Sequence, residues 1–322
     1  MPSVETFKPL PIECILPEMF PAIALYTKGT GSNYVLYKPY DRPFTLADKD
    51  RLERTNKQNI YIRSDDSPDL TAYIEENLSG FLVDDSISQR SKNMVLYQTS
   101  MEFVAEIMEA PHMLAANFTR CKGLIRNLMK HVSTSASLLS VLQEVAAGHL
   151  YILSHSVKVA ALTMLMHEKA FNICQDEMLD VGIGGILHDI GMTLISPDIL
   201  EKPEALSNIE YETVKTHSQK GYELLNKAGV FSDITLTIVR HHHEKWDGTG
   251  YPAKLKGNNI SRSAQVAAVC DIYCALVSDR AYRKASSHAE AIRIMTSEAG
   301  GTFNKELFEQ FRKIVDSQAP VG

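Results

Sequence analysis

The dipeptide His188-Asp189 and the three consecutive histidines at 241–243 are the residues of this chain with the most chemistry to offer. Imidazole and carboxylate side chains bind divalent metals, move protons, or do both. A His-Asp pair arises often by chance, so its setting decides. The apolar run Val181-Gly182-Ile183-Gly184-Gly185-Ile186-Leu187 reads as a buried helix with a C-cap at Gly191. A carboxylate at the buried end of such a helix needs a cation or several donors. Successive helical residues point about 100° apart. His188 and Asp189 can therefore converge on a metal only if other helices contribute ligands.

Those ligands are available. His242-His243 closes a helix that begins near Ser232-Asp233, although three adjacent histidines are as readily a solvated surface run. Asp271 sits in Ala267-Ala268-Val269-Cys270-Asp271-Ile272-Tyr273, apolar on both sides and without a basic neighbour in sequence. His217 lies on the helix capped by Ser207, and His155 opens another helix. Singly, each of these two is more often a satisfied core or surface histidine than a ligand. As a set, five imidazoles and two carboxylates on separate helices suffice for a dinuclear site with an aspartate bridge. Mixed nitrogen and oxygen ligation suits iron or manganese, with zinc as an alternative. Two cations ~3.5–4 Å apart generate hydroxide and clamp an in-line phosphoryl displacement.

The scaffold for such a site is a chain of 322 residues, long enough for two domains of ordinary size. With 33 basic and 39 acidic residues the formal charge is −6, which argues against DNA or RNA as partners but leaves room for a local anion site. No apolar stretch approaches the ~20 residues of a membrane span, so membrane insertion is not expected. The start MPSVETFKPLPIEC lacks the basic-then-apolar order of a signal peptide. Five cysteines without CxxC spacing point to reduced thiols and a cytoplasmic location.

The expected fold is mainly α, with a small α/β domain at residues 1–90, a helical connector at 91–137 and an all-helical bundle at 138–322. In the first segment, Tyr34–Tyr37 and Asn59–Ile62 read as strands and Leu46–Arg54 as a helix. Ser67 reads as an N-cap before Pro68 and a helix over Leu70–Leu78. No phosphate loop or ligand cluster appears there, so a regulatory or interaction role is expected. The connector carries Tyr97, Met101, Val104 and Met108, then Leu114, Phe118, Cys121, Ile125, Leu128 and Val132, at helical spacing. That stripe either pairs two chains or packs on its own domain.

His188-Asp189, the string His242-His243-Glu244-x-x-Asp247-Gly248-x-Gly250-Tyr251-Pro252, and Asp271 with Ser278-Asp279-Arg280-x-Tyr282-Arg283 resemble the HD-GYP family. Its members are bacterial cyclic di-GMP phosphodiesterases of the HD phosphohydrolase superfamily. The likeness spans roughly His155 to Phe303, and the N-terminal segment loosely resembles the uncharacterised domain often found upstream of this module. The resemblance implies an HD-type bundle whose metal ligands fall on His155, His188, Asp189, His217, His242, His243 and Asp271, with Asp189 bridging. It implies two divalent ions, iron first, with manganese or zinc as alternatives. Gly248, Gly250, Tyr251, Pro252, Arg280 and Arg283 fall where the family contacts guanines and phosphates. The implied reaction opens cyclic di-GMP to linear pGpG, GMP or both through a hydroxide bridging the metals. Beyond that ligand, a homodimer or a signalling-protein partner is expected through the N-terminal domain or the connector.

Three departures matter. The family usually has Lys where this chain has Met192, and Asp where it has Cys274, one helical turn beyond Asp271. The resemblance assigns that pair to phosphate positioning and leaving-group protonation, so attenuated activity is expected; the alternative is a cyclic di-GMP receptor that retains the metal cage without efficient turnover. Tyr151 stands where some members carry a glutamate for a third metal, hence two are expected.

Overall fold

A computed structural model describes residues 6–29, 33–55, 57–134, 151–202, 204–279 and 283–318. The chain divides into two compact units, residues 1–99 and 100–322.

In the first unit, β1 (Phe7–Pro11), β2 (Leu25–Lys28), β3 (Tyr34–Lys38) and β4 (Asn59–Arg63) form an antiparallel sheet in the order β1-β4-β2-β3. Strand alternation sends Ile60 and Ile62 into the core with Leu10 and Leu25. Both expected strands are present, each one residue longer than read. β1 escaped the sequence reading because Pro9 and Pro11 argue against a strand; it lies at the sheet edge, where a missing N–H costs no ladder bond. β2, only four residues long, leaves little pattern to read. α1 (Leu46–Glu53) is closed at its start by a Thr45–Asp48 capping box. α2 (Ser67–Val83) begins one residue earlier than expected, with Asp66 at the N-cap position and Pro68 in the first turn. α3 (Gln89–Glu109) follows, and the division between the units falls within it.

The second unit is helical: α4 (Phe118–Thr134), α5 (Tyr151–Ala170), α6 (Gln175–Leu187), α7 (Pro197–Leu200), α8 (Asn208–Lys215), α9 (His217–Ala228), α10 (Asp233–His241), α11 (Arg262–Leu276), α12 (His288–Glu298) and α13 (Lys305–Gln318). α6 lies at its centre, packed against α4, α5 and α10, while α11 packs on α5 and α9 on α10. The connector stripe of α4 is spent inside this unit: Cys121, Ile125 and Leu128 are buried, and the helix packs on α5 and α6. The start of the expected third segment, residues 138–150, lies outside the described residues. Among the described residues no helix is long and apolar enough to cross a membrane.

Two local expectations are corrected. The Ser207 capping box caps α8, which ends at Lys215; the chain turns at Thr216 and His217 opens the separate helix α9. Gly191 is not a C-cap, since α6 ends at Leu187 and Gly191 sits in a 3₁₀ turn, Ile190–Leu194. Its lack of a side chain serves packing instead: a Cβ there would run into the His217 carbonyl and the Gly221 amide of α9. Gly191→Ala is expected to lower stability by about 1–3 kcal/mol and to shift His217, read out as a lower denaturation midpoint together with lost metal retention.

Candidate metal centre

Five helices deliver the seven sequence-predicted ligands to one buried place. His155 comes from the second turn of α5, His188 and Asp189 from the end of α6, and His217 from the first position of α9. His242 and His243 come from the end of α10, and Asp271 from the middle of α11. Their ligand atoms form two groups, Asp189–His217–His242–His243 and His155–His188–Asp271, each with its atoms within 4.8 Å of one another. Asp189 spans both groups. Its Oδ1 lies 3.3 Å from His217 Nε2 and 3.8 Å from His242 Nε2, and its Oδ2 lies 3.3 Å from His188 Nε2. Asp271 spans them as well, which the sequence did not suggest. Its Oδ1 is 2.9 Å from His155 Nε2 and 4.0 Å from His188 Nε2, and its Oδ2 is 3.9 Å from His243 Nδ1.

The imidazole tautomers show what this geometry wants. His188 Nδ1 donates to the Gly185 carbonyl at 2.8 Å, His217 Nδ1 to Val214 at 2.7 Å, and His242 Nδ1 to Ile238 and Val239 at 3.1 and 3.0 Å. A carbonyl only accepts, so each neutral ring carries its proton on Nδ1 and turns the Nε2 lone pair inward. His217 Nε2 and His242 Nε2 then face each other at 3.3 Å beside Asp189. His188 Nε2 is buried and, among the described residues, has no hydrogen-bond partner. Lone pairs and carboxylate oxygens pointed at one another need a cation between them, and backbone-anchored imidazoles are how metal-binding histidines are held. The residues fit divalent metal.

Without metal, a proton takes that place. Burial opposes charge on His188, but the carboxylates of Asp189 and Asp271 outweigh it and raise the imidazole to about 9. Burial lowers His242 well below the usual range and holds His243 near 4. Burial alone would raise both aspartates, yet the imidazoles around them hold both below the ordinary carboxylate range. Below pH about 9 a metal must therefore displace a proton from His188. Because His188 loses that proton as pH rises, apparent affinity for a divalent ion is expected to climb about tenfold per pH unit toward that value and then level off. Chelator competition across the range measures this, and a flat profile would contradict it.

The loop after α10 folds back onto the cluster. Glu244, 3% exposed, accepts from the Ala253 amide at 2.6 Å and the Leu255 amide at 3.0 Å, and so ties down both sides of the turn. Gly250 packs so closely on the His243–Lys245 backbone that a Cβ would not fit, and Gly248 adopts φ of 87°. Tyr251 thereby lies over His243, with ring centroids 4.7 Å apart at 32°, and burial raises its phenol. Pro252 is half-buried beside it. Arg283, expected at substrate, donates to the Ala275 and Leu276 carbonyls at 2.6 and 3.3 Å and to Ser286 Oγ at 3.2 Å, so it holds the end of α11. Arg280 and the side chain of Tyr151 lie outside the described residues.

Met192 is half-buried, with its amide donating to the Asp189 carbonyl at 2.8 Å, and Cys274 is buried, which pushes its thiol well up. The sequence reading missed two polar residues here. Glu244 lies inside the His242–Pro252 string, where nothing in its spacing announces the clamp it makes on the loop. Lys158, 5% exposed, donates to Ser278 Oγ at 2.9 Å across from α5, with Cys274 and Asp279 in its electrostatic reach. The available signal was a lysine three residues after His155, followed by the apolar run Val159–Leu162.

Imidazoles and carboxylates from five helices around one buried centre define a helical domain built to bind divalent metal. Residues 140–307, more than half of the chain, match the HD-domain family, and the chain belongs to it. A cyclic di-GMP phosphodiesterase of Pseudomonas aeruginosa is 35% identical over 208 residues, covering 65% of this chain and 50% of that protein. A probable cyclic di-GMP phosphodiesterase of Vibrio cholerae is 34% identical over 184 residues, covering 55% and 42%. The chain thus spans half or less of these relatives. An HDG"Y"P protein from Bdellovibrio bacteriovorus has a similar fold, with a TM-score of 0.68 at 18% identity over 97% of this chain and all of that one.

Proposed function

We propose that the helical unit is a metal-dependent phosphodiesterase that opens cyclic di-GMP to linear pGpG, GMP or both. The observation that carries this reading is the pair of facing ligand groups, each linked to the other by an aspartate whose two oxygens point to different groups. Two divalent ions bound there, iron first with manganese or zinc as alternatives, would polarise the phosphodiester and acidify an attacking water. Asp189 and Asp271 set the spacing of the two positions. The backbone-anchored imidazoles hold their lone pairs in place before substrate arrives, so little reorganisation accompanies binding. Tyr251, clamped through Glu244, forms the wall nearest His243 and excludes water from that side. The relatives named as cyclic di-GMP phosphodiesterases support this choice of substrate. The N-terminal α/β unit is assigned the regulatory or partner contact, and the chain is placed in the cytoplasm.

The test is metal analysis combined with a cyclic di-GMP assay on one anaerobically prepared sample. Metal-dependent release of pGpG or GMP is the expected result; intact cyclic di-GMP after hours with loaded protein would defeat the reading. Met192 and Cys274 favour a second reading, a cyclic di-GMP receptor, because neither offers an acid to the leaving oxygen near neutral pH. That reading expects nucleotide binding without hydrolysis.

A further inference from the structure

We infer that Tyr211 and Lys215 of α8 form a nucleobase subsite at the mouth of the metal centre, with the Tyr211 ring as the platform on which a purine stacks. This rests on the phosphodiesterase reading for its substrate and lies outside the three strings that carry the family resemblance. The array is continuous. Lys215 Nζ sits 4.8 Å from the Tyr211 ring centroid and 5.6 Å from that of Tyr251, and Tyr251 lies 4.7 Å from His243, itself in the ligand group. One end is therefore at the metal ligands, and the other, Tyr211, is 51% exposed.

A half-exposed aromatic ring at the rim of a buried polar centre presents a flat apolar face where a nucleotide must enter. Lys215 occupies one face of Tyr211 and is held there by Glu212, whose Oε1 lies 2.6 Å from Nζ. A cation on one face draws π density toward it, so the opposite face favours an electron-rich base such as guanine. The distance from Tyr211 to the ligands is bridged by two side chains, Lys215 and Tyr251. A base on Tyr211 would thus anchor the nucleotide away from the reacting phosphate, and the subsite acts on affinity more than on the chemical step.

The test compares wild type, Tyr211→Ala, Tyr211→Phe and, as an exposed control on the same helix, Ile209→Ala, all metal-loaded. KM and kcat for cyclic di-GMP and affinity for GMP are measured alongside metal content. Tyr211→Ala should raise KM about tenfold with metal content retained and a smaller change in kcat. Tyr211→Phe and Ile209→Ala should stay near wild type. Unchanged KM in Tyr211→Ala, or an equal loss in Tyr211→Phe, overturns the subsite. Should the wild type bind cyclic di-GMP without cleaving it, the phosphodiesterase reading fails and the dissociation constant replaces KM in the same comparison. Should it ignore cyclic di-GMP, the GMP affinities decide: equal values in wild type and Tyr211→Ala overturn the subsite, and wild type that binds neither overturns both.

Discussion

Asp189→Asn is expected to lower cyclic di-GMP hydrolysis by at least about 10³-fold, about 4 kcal/mol of transition-state stabilisation, and to take bound metal from two ions per chain toward one or none. The substitution is close to isosteric, so the effect isolates charge and donor type. Asp189 Oδ1 faces His217 and His242, and Oδ2 faces His188. An asparagine replaces one of those acceptors with an NH₂ group aimed at an imidazole lone pair or at a cation. The larger of the two anionic contributions that keep His188 raised is removed as well, which leaves the buried imidazole with Asp271 as its remaining counter-charge. Elemental analysis and product chromatography on the same preparation read both effects, with circular dichroism to show that the helices persist. Asp271→Asn should behave similarly, because that carboxylate also reaches both groups. Full activity with two retained metals in Asp189→Asn would show that Asp189 itself need not span the centre.

The legibility of this centre in the sequence follows from the energetics of burial. Asp271 between apolar residues, and His188-Asp189 at the end of an apolar helix, are expensive unless something compensates them, and that expense is visible in a string of letters. Periodicity and strand propensity located the helical bundle and, in the first unit, the edge strand β3 and the central strand β4. The sequence could not show that Asp271 reaches both ligand groups, since that depends on how α11 packs on α5 and α10 rather than on any local pattern. The break at Thr216 was hidden for a related reason. α8 and α9 each satisfy helical spacing, and only packing of Gly191 against His217 reveals that the chain must turn there. Gly191 itself illustrates an ambiguous letter: a glycine after a helix suits a C-cap and a close contact equally well, and the contact decided. The clamp made by Glu244 joins residues 9 and 11 positions apart through a folded loop, so no periodicity announces it. Arg283, which the resemblance places at substrate, has hydrogen bonds to the carbonyls at the end of α11 that no local pattern announces.

Met192→Lys combined with Cys274→Asp is expected to raise kcat by about 10²-fold, the low end of what general acid–base assistance contributes. Asp271 and Cys274 lie one turn apart on α11, and both are buried, so a carboxylate at 274 would enter the same interior as the ligand groups. An unpaired carboxylate there would ordinarily be costly. Lys158 changes that balance: it is already buried, its charge is felt at position 274, and its hydrogen bond goes to the neutral Ser278. Cys274→Asp alone should therefore be tolerated, because the new carboxylate finds a cation in place. It should yield little activity by itself, since Lys158 would hold the carboxylate ionised and withhold a proton from the leaving oxygen. Met192→Lys adds the second cation next to Asp189, which competes for that carboxylate and restores a proton donor on the metal side. The two substitutions should accordingly be non-additive, with the double variant exceeding the product of the single effects. Turnover of cyclic di-GMP by the four proteins of this cycle, at matched metal content, measures the coupling. Additive or absent gains would mean that Lys158 does not link position 274 to the reaction, and that low turnover, if found, has its cause at other residues.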